Sequence, residues 1–445
     1  MFAGITAGMV GFIYPSNLYD LVNERWSERI SELETIPNLP SRKTFEQLID
    51  VVYHASFLTE ERRRIWFRVV YVSKEEMEKQ NVPSSWNIRI IKFDRPRQFS
   101  VSELVKLAPA ADPTQVLIGV YENSAQSELE IWGLIEAGTS WWDFERHETS
   151  GARPPPNAFT LSSRNPGQAS ISRQGHVLLI LSQGRVIRPS YVFYSGPVAD
   201  FLEKGKQCLY KEVCERLKID RYDPKGPDDD YPKRFYVFFL ERILNRIRER
   251  FHGGTLIIVP DEVKINDTRL HDRIVIKYPC HYDALEPLVN ELEKFQTFYD
   301  TDFKLWDKKQ IGQDEFRRCM REKSYYEDAK EEVKRAAGFL SSMSAVDGAV
   351  VMTDRLRLLG FGAEIIAISP SLTDVKVITD LESGKSERRE IEHFGTRHRS
   401  AFRFCSSFEN SIAAIVSQDG EIRIAKRVGS DVILWPNITV ATLGF

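Results

Sequence analysis

The sequence predicts an α/β chain of the α+β kind, with a β-rich N-terminal domain plus helices and a C-terminal mixed β-sheet flanked by helices. Three observations predict it. Strand-length runs of β-branched and aromatic residues dominate up to about residue 190. Apolar residues at helical spacing take over from about residue 194. Beyond residue 322, a helical segment is followed by short apolar runs punctuated by glycine and charged residues.

The elements follow in order. Residues 1–18 are apolar but lack a basic leading segment and are interrupted at Pro15, so they read as a buried N-terminal segment rather than a membrane span. TFEQLIDVV opens with a Thr-x-x-Gln capping box at Thr44 and sets Phe45, Leu48, Ile49 and Val52 on one face of a docked helix. RIWFRVVYV, WNIRIIKF, QVLIGVY and ELEIWGLIEAG are strands by composition. The prolines of GARPPPNAF make a loop, and NPG, RQG and SQG punctuate a meander that includes HVLLIL. Trp141 and Trp142 read as core or interface aromatics.

Phe235, Phe238, Leu244, Ile247 and Phe251 lie at helical spacing in a segment opened by Pro232, with the acidic DPKGPDDDYP ahead of it. The basic run RILNRIRERF reads as the solvated face of that helix. GGTLIIVPDEV and RIVIKY are strand-like, and residues 283–296 form a further helix. These patterns divide the chain into an N-terminal region (1–300), a charged linker (301–321) and a C-terminal domain (322–445). That domain opens with a helix at 324–342 and continues in strands at 348–353, 363–368 and 374–379.

Composition excludes several function classes. The chain has 445 residues, 42% hydrophobic and 28% charged, which fits two or three soluble domains. Five scattered cysteines suggest neither a disulfide framework nor a zinc site and fit a reducing cytoplasm. The eight histidines form no HExxH-like pair, and His271 and His281 carry no assigned role. A net charge of −3 leaves no basic field for nucleic acid.

Two motifs carry chemistry. GTRHR sits at a helix start, where unpaired amides and the positive dipole end favour phosphate. Gly395 permits close backbone approach, Thr396 can cap the helix, Arg397 and Arg399 can clamp a polyphosphate, and His398 can donate to phosphate or meet a metal. In SAVDGAVVMTD, the carboxylate of Asp347 precedes a strand, and Gly348 leaves room beside the backbone.

DGA followed by GTRHRSA and an apolar strand ending in VSQDG resembles the diadenylate cyclase domain family, whose signatures are DGA and RHR. The resemblance covers residues 322–445, including LLGFGAEI, where Gly360 and Gly362 would suit close backbone packing. The N-terminal region resembles the probable sensor domains of the DACNV type that precede some members. The resemblance implies a domain that binds ATP with Mg²⁺ or Mn²⁺ and works as a homodimer or higher oligomer with active sites face to face. It implies Asp347, Arg397, His398 and Arg399 as catalytic residues and Gly348, Ala349, Gly360, Gly362, Gly395, Thr396 and Ser417 as the nucleotide site. Asp347, His398 and Asp419 would be metal ligands. The activity implied is condensation of two ATP into cyclic di-AMP with release of pyrophosphate, under control of an N-terminal region whose own ligand is unknown. The alternative is a nucleotide-binding sensor of the same fold without turnover.

Two departures from the family pattern matter. Asp347 and Arg397 are 50 residues apart, longer than in compact members, and a hairpin around Glu382, Ser383 and Gly384 would absorb the difference at a sheet edge. VSQDG stands where many relatives carry Ser-Glu-Glu; Gln418 replaces an acid, and Asp419-Gly420 reads more readily as a hairpin turn than as a ligand.

Overall fold

In the computed structural model the β-branched runs form strands of two separate sheets. It describes residues 13–27, 36–79, 88–123, 127–138, 140–146, 155–222, 230–306, 312–380, 384–418 and 420–440. Most of the apolar N-terminus, the start of the proline loop, the acidic run before Tyr231, Glu382, Ser383 and Asp419 lie outside the described residues. The described residues gather into two compact units, one reaching to Pro189 and one within Ser190–Ala441.

The first unit contains α1 (Tyr19–Trp26), α2 (Arg42–Ala55), β1 (Thr59–Glu60), β2 (Arg63–Arg64), β3 (Phe67–Tyr71), α3 (Lys74–Lys79), β4 (Arg89–Gln98), α4 (Val101–Leu107), β5 (Val116–Asn123), β6 (Glu128–Glu136), α5 (Ser140–Glu145), β7 (Phe159–Ser163), β8 (Gln168–Arg173), β9 (His176–Ser182) and β10 (Arg185–Ile187). Its described strands, apart from the β1–β2 pair, form one sheet in the order β10-β9-β8-β7-β3-β5-β6-β4. Only β3 and β5 run parallel within it. Side chains alternate along β3: Phe67 and Val69 join Phe45, Leu48, Ile49 and Val52 of α2, while Val70 packs with Trp132 and Trp141 on the other face. Both tryptophans of the Trp141-Trp142 pair are buried, as expected. The helix cap differs from expectation. Ser41, not Thr44, is the N-cap of α2, its Oγ accepting from the Thr44 amide at 3.2 Å.

The second unit contains α6 (Pro197–Leu217), α7 (Tyr231–Glu249), β11 (Gly254–Val259), α8 (Thr268–His271), β12 (Ile274–Asp283), α9 (Leu285–Trp306), α10 (Gln313–Ser342), β13 (Ala349–Thr353), β14 (Arg357–Ile365), β15 (Asp374–Asp380), β16 (Lys385–Glu390), α11 (Thr396–Ser407), β17 (Ile412–Val416), β18 (Ile422–Val428) and β19 (Asp431–Trp435). Its mixed sheet has the order β12-β14-β13-β11-β17-β18-β19-β15-β16 among the described residues. The central strands are apolar on both faces because both are covered. Leu256, Ile258, Val350 and Met352 pack under α6, α7, α9 and α10, while Ile257, Ala349 and Val351 pack with Phe402 and Phe404 of α11. The hairpin β15–β16 lies at the sheet edge, where added length leaves the centre undisturbed.

Several expectations are corrected here. The division at residue 300 does not coincide with the compact units: β11 pairs with both β13 and β17 at the sheet centre, so residues from 190 onward belong to the C-terminal unit. The charged segment 301–321 is not wholly a linker, since α9 runs to Trp306 and α10 begins at Gln313. The strand expected at 363–368 occupies Arg357–Ile365. The basic run on α7 is not a solvated face either. Glu241, Arg242, Asn245 and Arg248 are all buried, with Tyr194 donating to Glu241 at 3.3 Å and Arg248 to Asn245. Phe251 falls beyond the helix and is exposed.

Candidate active site

Strand pairing collects the two chemical motifs at one end of the second sheet. Thr255 of β11 pairs with Ala349 of β13 in parallel, and Gly254 pairs with Val416 of β17 in antiparallel fashion. The residues before β13 (Asp347, Gly348), before β11 (His252, Gly253) and after β17 (Ser417) therefore share one sheet edge. At about 4.8 Å per strand, the outer two of these three strands lie roughly 10 Å apart.

Arg397 lies across this edge. Its Nη1 donates to the Val416 carbonyl at 3.3 Å and its Nη2 to the His252 carbonyl at 3.4 Å. Gly253 makes the approach possible: its φ is +67°, and a Cβ there would stand 2.5 Å from Arg397 Nη1 and from the Val416 oxygen. His252 and Gly253 were not singled out from the sequence. Nothing in HGG ahead of an apolar run shows that a helix some 140 residues later sends an arginine over it.

The GTRHR segment starts α11 as expected, but with a different cap. Gly395 is the N-cap, makes no side-chain cap bond and faces open space, and Thr396 is the first helical residue. The first-turn amides thus begin at an exposed glycine and threonine. Arg397 and Arg399 do not converge. Two positions apart on a helix, they leave on different faces, and Arg399 pairs with Glu392 at 2.8 Å. His398 packs beside the touching Phe394 and Phe402 rings, its Nε2 3.3 Å from Arg423 Nη1. A guanidinium can only donate, so Nε2 accepts in this contact. Arg423 also pairs with Glu421. Beneath them on α11, burial pushes the Cys405 thiol up to about 12, which leaves it unreactive.

At the DGA turn, Asp347 is exposed and its carboxylate has no hydrogen bond or ion pair to any described residue. Gly348 is exposed too, with φ +118°, while Ala349 is already buried in the strand. Gly360 and Gly362 are buried and serve packing: a Cβ on Gly360 would collide with Ile276, and one on Gly362 would meet the Tyr278 ring at 3.0 Å. Ser417 is engaged within the β17–β18 turn, its Oγ donating to the Glu421 carbonyl at 3.1 Å and accepting from the Glu421 amide at 3.0 Å.

Among the described residues no group of three or more His, Cys, Asp or Glu side chains comes together as a metal cage. Asp347 and His398 belong to no such group. A cavity of about 800 Å³ near α11 is lined by residues 367–370 and 372–374, Glu390, Ile391, Glu392 and Arg403. None of the residues expected to bind nucleotide lines it; Glu392, the partner of Arg399, does.

The first unit contributes none of these residues, and its character comes from likeness to known proteins. Residues 34–136 match the family described as Probable sensor domain DACNV. The DACNV match runs from just ahead of α2 to the last residue of β6, and so takes in the parallel β3–β5 pair while leaving out the meander β7–β10. No curated protein matches the chain significantly. No helix among the described residues is long and apolar enough to cross a membrane.

Proposed function

We propose that the chain is a diadenylate cyclase, with the Ser190–Ala441 unit condensing two ATP into cyclic di-AMP and two pyrophosphates and the DACNV-like region regulating it. One observation carries the reading: the exposed Asp347 and the Arg397 guanidinium belong to the same sheet edge although 50 residues separate them in sequence. A DACNV sensor match on the same chain adds support, because that sensor accompanies diadenylate cyclases.

The chemistry follows from the exposed groups. Each ATP offers its 3′-hydroxyl to the α-phosphorus of the other; a P–O bond forms, the bond to pyrophosphate breaks, and repetition closes the ring. A ribose hydroxyl is a poor nucleophile at neutral pH, and Asp347, uncommitted to any described partner, is available to take its proton. Arg397 and the first-turn amides of α11 stabilise charge on the phosphates. Arg399 joins them once it leaves Glu392, a surface pair worth at most about 1 kcal/mol. A divalent ion, Mg²⁺ or Mn²⁺, would be held by Asp347 together with phosphate oxygens and would supply positive charge opposite the leaving pyrophosphate. Asp347, Gly348, Gly395, Thr396 and Arg397 are all exposed. An open edge of this kind is suited to cover by a second copy bringing its own ATP, as a homodimer with face-to-face sites.

Purified full-length protein with ATP and Mg²⁺ or Mn²⁺ should yield cyclic di-AMP and pyrophosphate, with a rate rising faster than linearly in protein concentration. Asp347→Asn should abolish product while leaving the thermal midpoint unchanged. Absence of product at every protein concentration would defeat the reading. A nucleotide sensor without turnover is the second reading, favoured by Gln418 in place of an acid and by the engaged Ser417 hydroxyl. Parallel titrations separate the two: a sensor prefers cyclic di-AMP to ATP, whereas a cyclase binds ATP and releases product.

A further inference from the structure

At the opposite ends of β11 and β13, the second unit holds a cavity of about 450 Å³. It lies between the loop after β11, the end of β12 and the start of β14, roughly 17 Å along the strands from Asp347. Its size is that of a small-molecule site, and carboxyl ends of parallel strands are where open α/β sheets commonly bind ligands.

The polar groups of the lining fall into two sets. Both acids are already engaged. Asp261 accepts from Thr353 Oγ1 and Arg357 Nε, each at 3.0 Å, and Asp283 accepts from the Leu285 amide at 3.0 Å while lying 4.0 Å from Arg355. The side chains of Lys264, Asn266 and His281 make no hydrogen bond or ion pair to any described residue. All three can donate. His281 sits where the β12–β14 register shifts between Pro279 and Tyr282, a bulge that re-aims side chains. Tyr282 and the apolar Val263, Ile265, Leu358 and Leu359 complete the wall.

We propose that this cavity binds a small organic anion, a carboxylate carried on an apolar body, with Lys264, His281 and Asn266 receiving the carboxylate and the aliphatic wall receiving the body. A cation is disfavoured because the carboxylates it would need are held by Arg357 and by the Leu285 amide. The site is distinct from the nucleotide edge, and the inference does not rest on the cyclase reading.

Titrating the full chain with 2-naphthoate, and with its neutral amide as control, tests the proposal without reading cyclase activity at all. Naphthoate should bind with a dissociation constant on the order of 100 µM. The amide should bind at least about tenfold more weakly, and Lys264→Gln and His281→Gln should each weaken naphthoate about fivefold. Both positions are exposed, so the thermal midpoint serves as the folding control. No binding up to about 5 mM, equal binding of the amide, or naphthoate affinity unchanged in both variants would each overturn it.

Discussion

Gly348 packs its backbone directly against Gly362: a Cβ on Gly348 would stand 2.5 Å from the Gly362 carbonyl carbon. The contact holds the DGA turn against β14 and so fixes where Asp347 leaves the sheet edge. Gly348→Ala meets this overlap and a φ of +118° together. A cost of about 2–4 kcal/mol is expected, read as a fall in the thermal midpoint, with ATP binding lost in proportion. A variant with wild-type stability and binding would show that the turn yields easily and does not position the carboxylate.

Arg397 and Arg399 should not be equivalent. Arg397 lies over the carbonyls of His252 and Val416 at the sheet edge, whereas Arg399 pairs with Glu392 on the other side of α11. Arg397→Lys removes a fork that reaches two carbonyls at once, and ATP affinity should fall about tenfold or more. Arg399→Lys should weaken ATP about threefold or less, because its Glu392 pair must break before it can help. Equal losses by calorimetric titration would mean that both guanidinium groups grip the nucleotide and that α11 reorients on binding.

How much of this was legible follows from which contacts are local. Ala401, Phe404, Cys405 and Phe408 recur at helical spacing and are all buried, and Ile412–Val416 is a buried strand, because each pattern is written within a dozen residues. The centre of the sheet was not legible: β11 reaches β13 and β17 across more than 90 residues, and no local period records a partner. The buried charges of α7 misled for a related reason, since alternation of basic and apolar residues is the same whether the basic face meets water or is buried, as Arg242 is and as Arg248 is against Asn245. The divergence of Arg397 and Arg399 was available from the start, as neighbours two apart on a helix cannot share a face. His252 and Arg423 had no signal, being brought to the site only by strand pairing.

In the first unit, Ser41 caps α2 by accepting from the Thr44 amide, and Thr44 Oγ1 in turn donates to Glu122 of β5 at 2.9 Å. The cap therefore helps tie the helix to the sheet within the segment that matches DACNV. Ser41→Ala should cost about 1 kcal/mol and speed amide exchange in the first turn of α2 without affecting β11 or β13. Unchanged exchange in that turn would assign the cap's work to the Thr44–Glu122 contact instead.

Asp354, buried just after β13, has its carboxyl pushed up to about 6 from the ordinary 3.8, first by burial and then by the nearby charge of Asp261. Between those two values the folded chain keeps a proton that the unfolded chain has released. Protonation thus favours the fold at low pH, and stability is lost as pH rises through the window from about 4 to about 6, by up to about 3 kcal/mol once the carboxylate is fully charged. Asp354→Asn keeps an oxygen to accept from the Asp261 amide and removes the ionisation. The variant and the wild type should melt together near pH 4, and the variant should melt higher at pH 8. A gap of constant size across that range would mean that Asp354 does not titrate there, and that the charge beside Asp261 is already compensated in the folded chain.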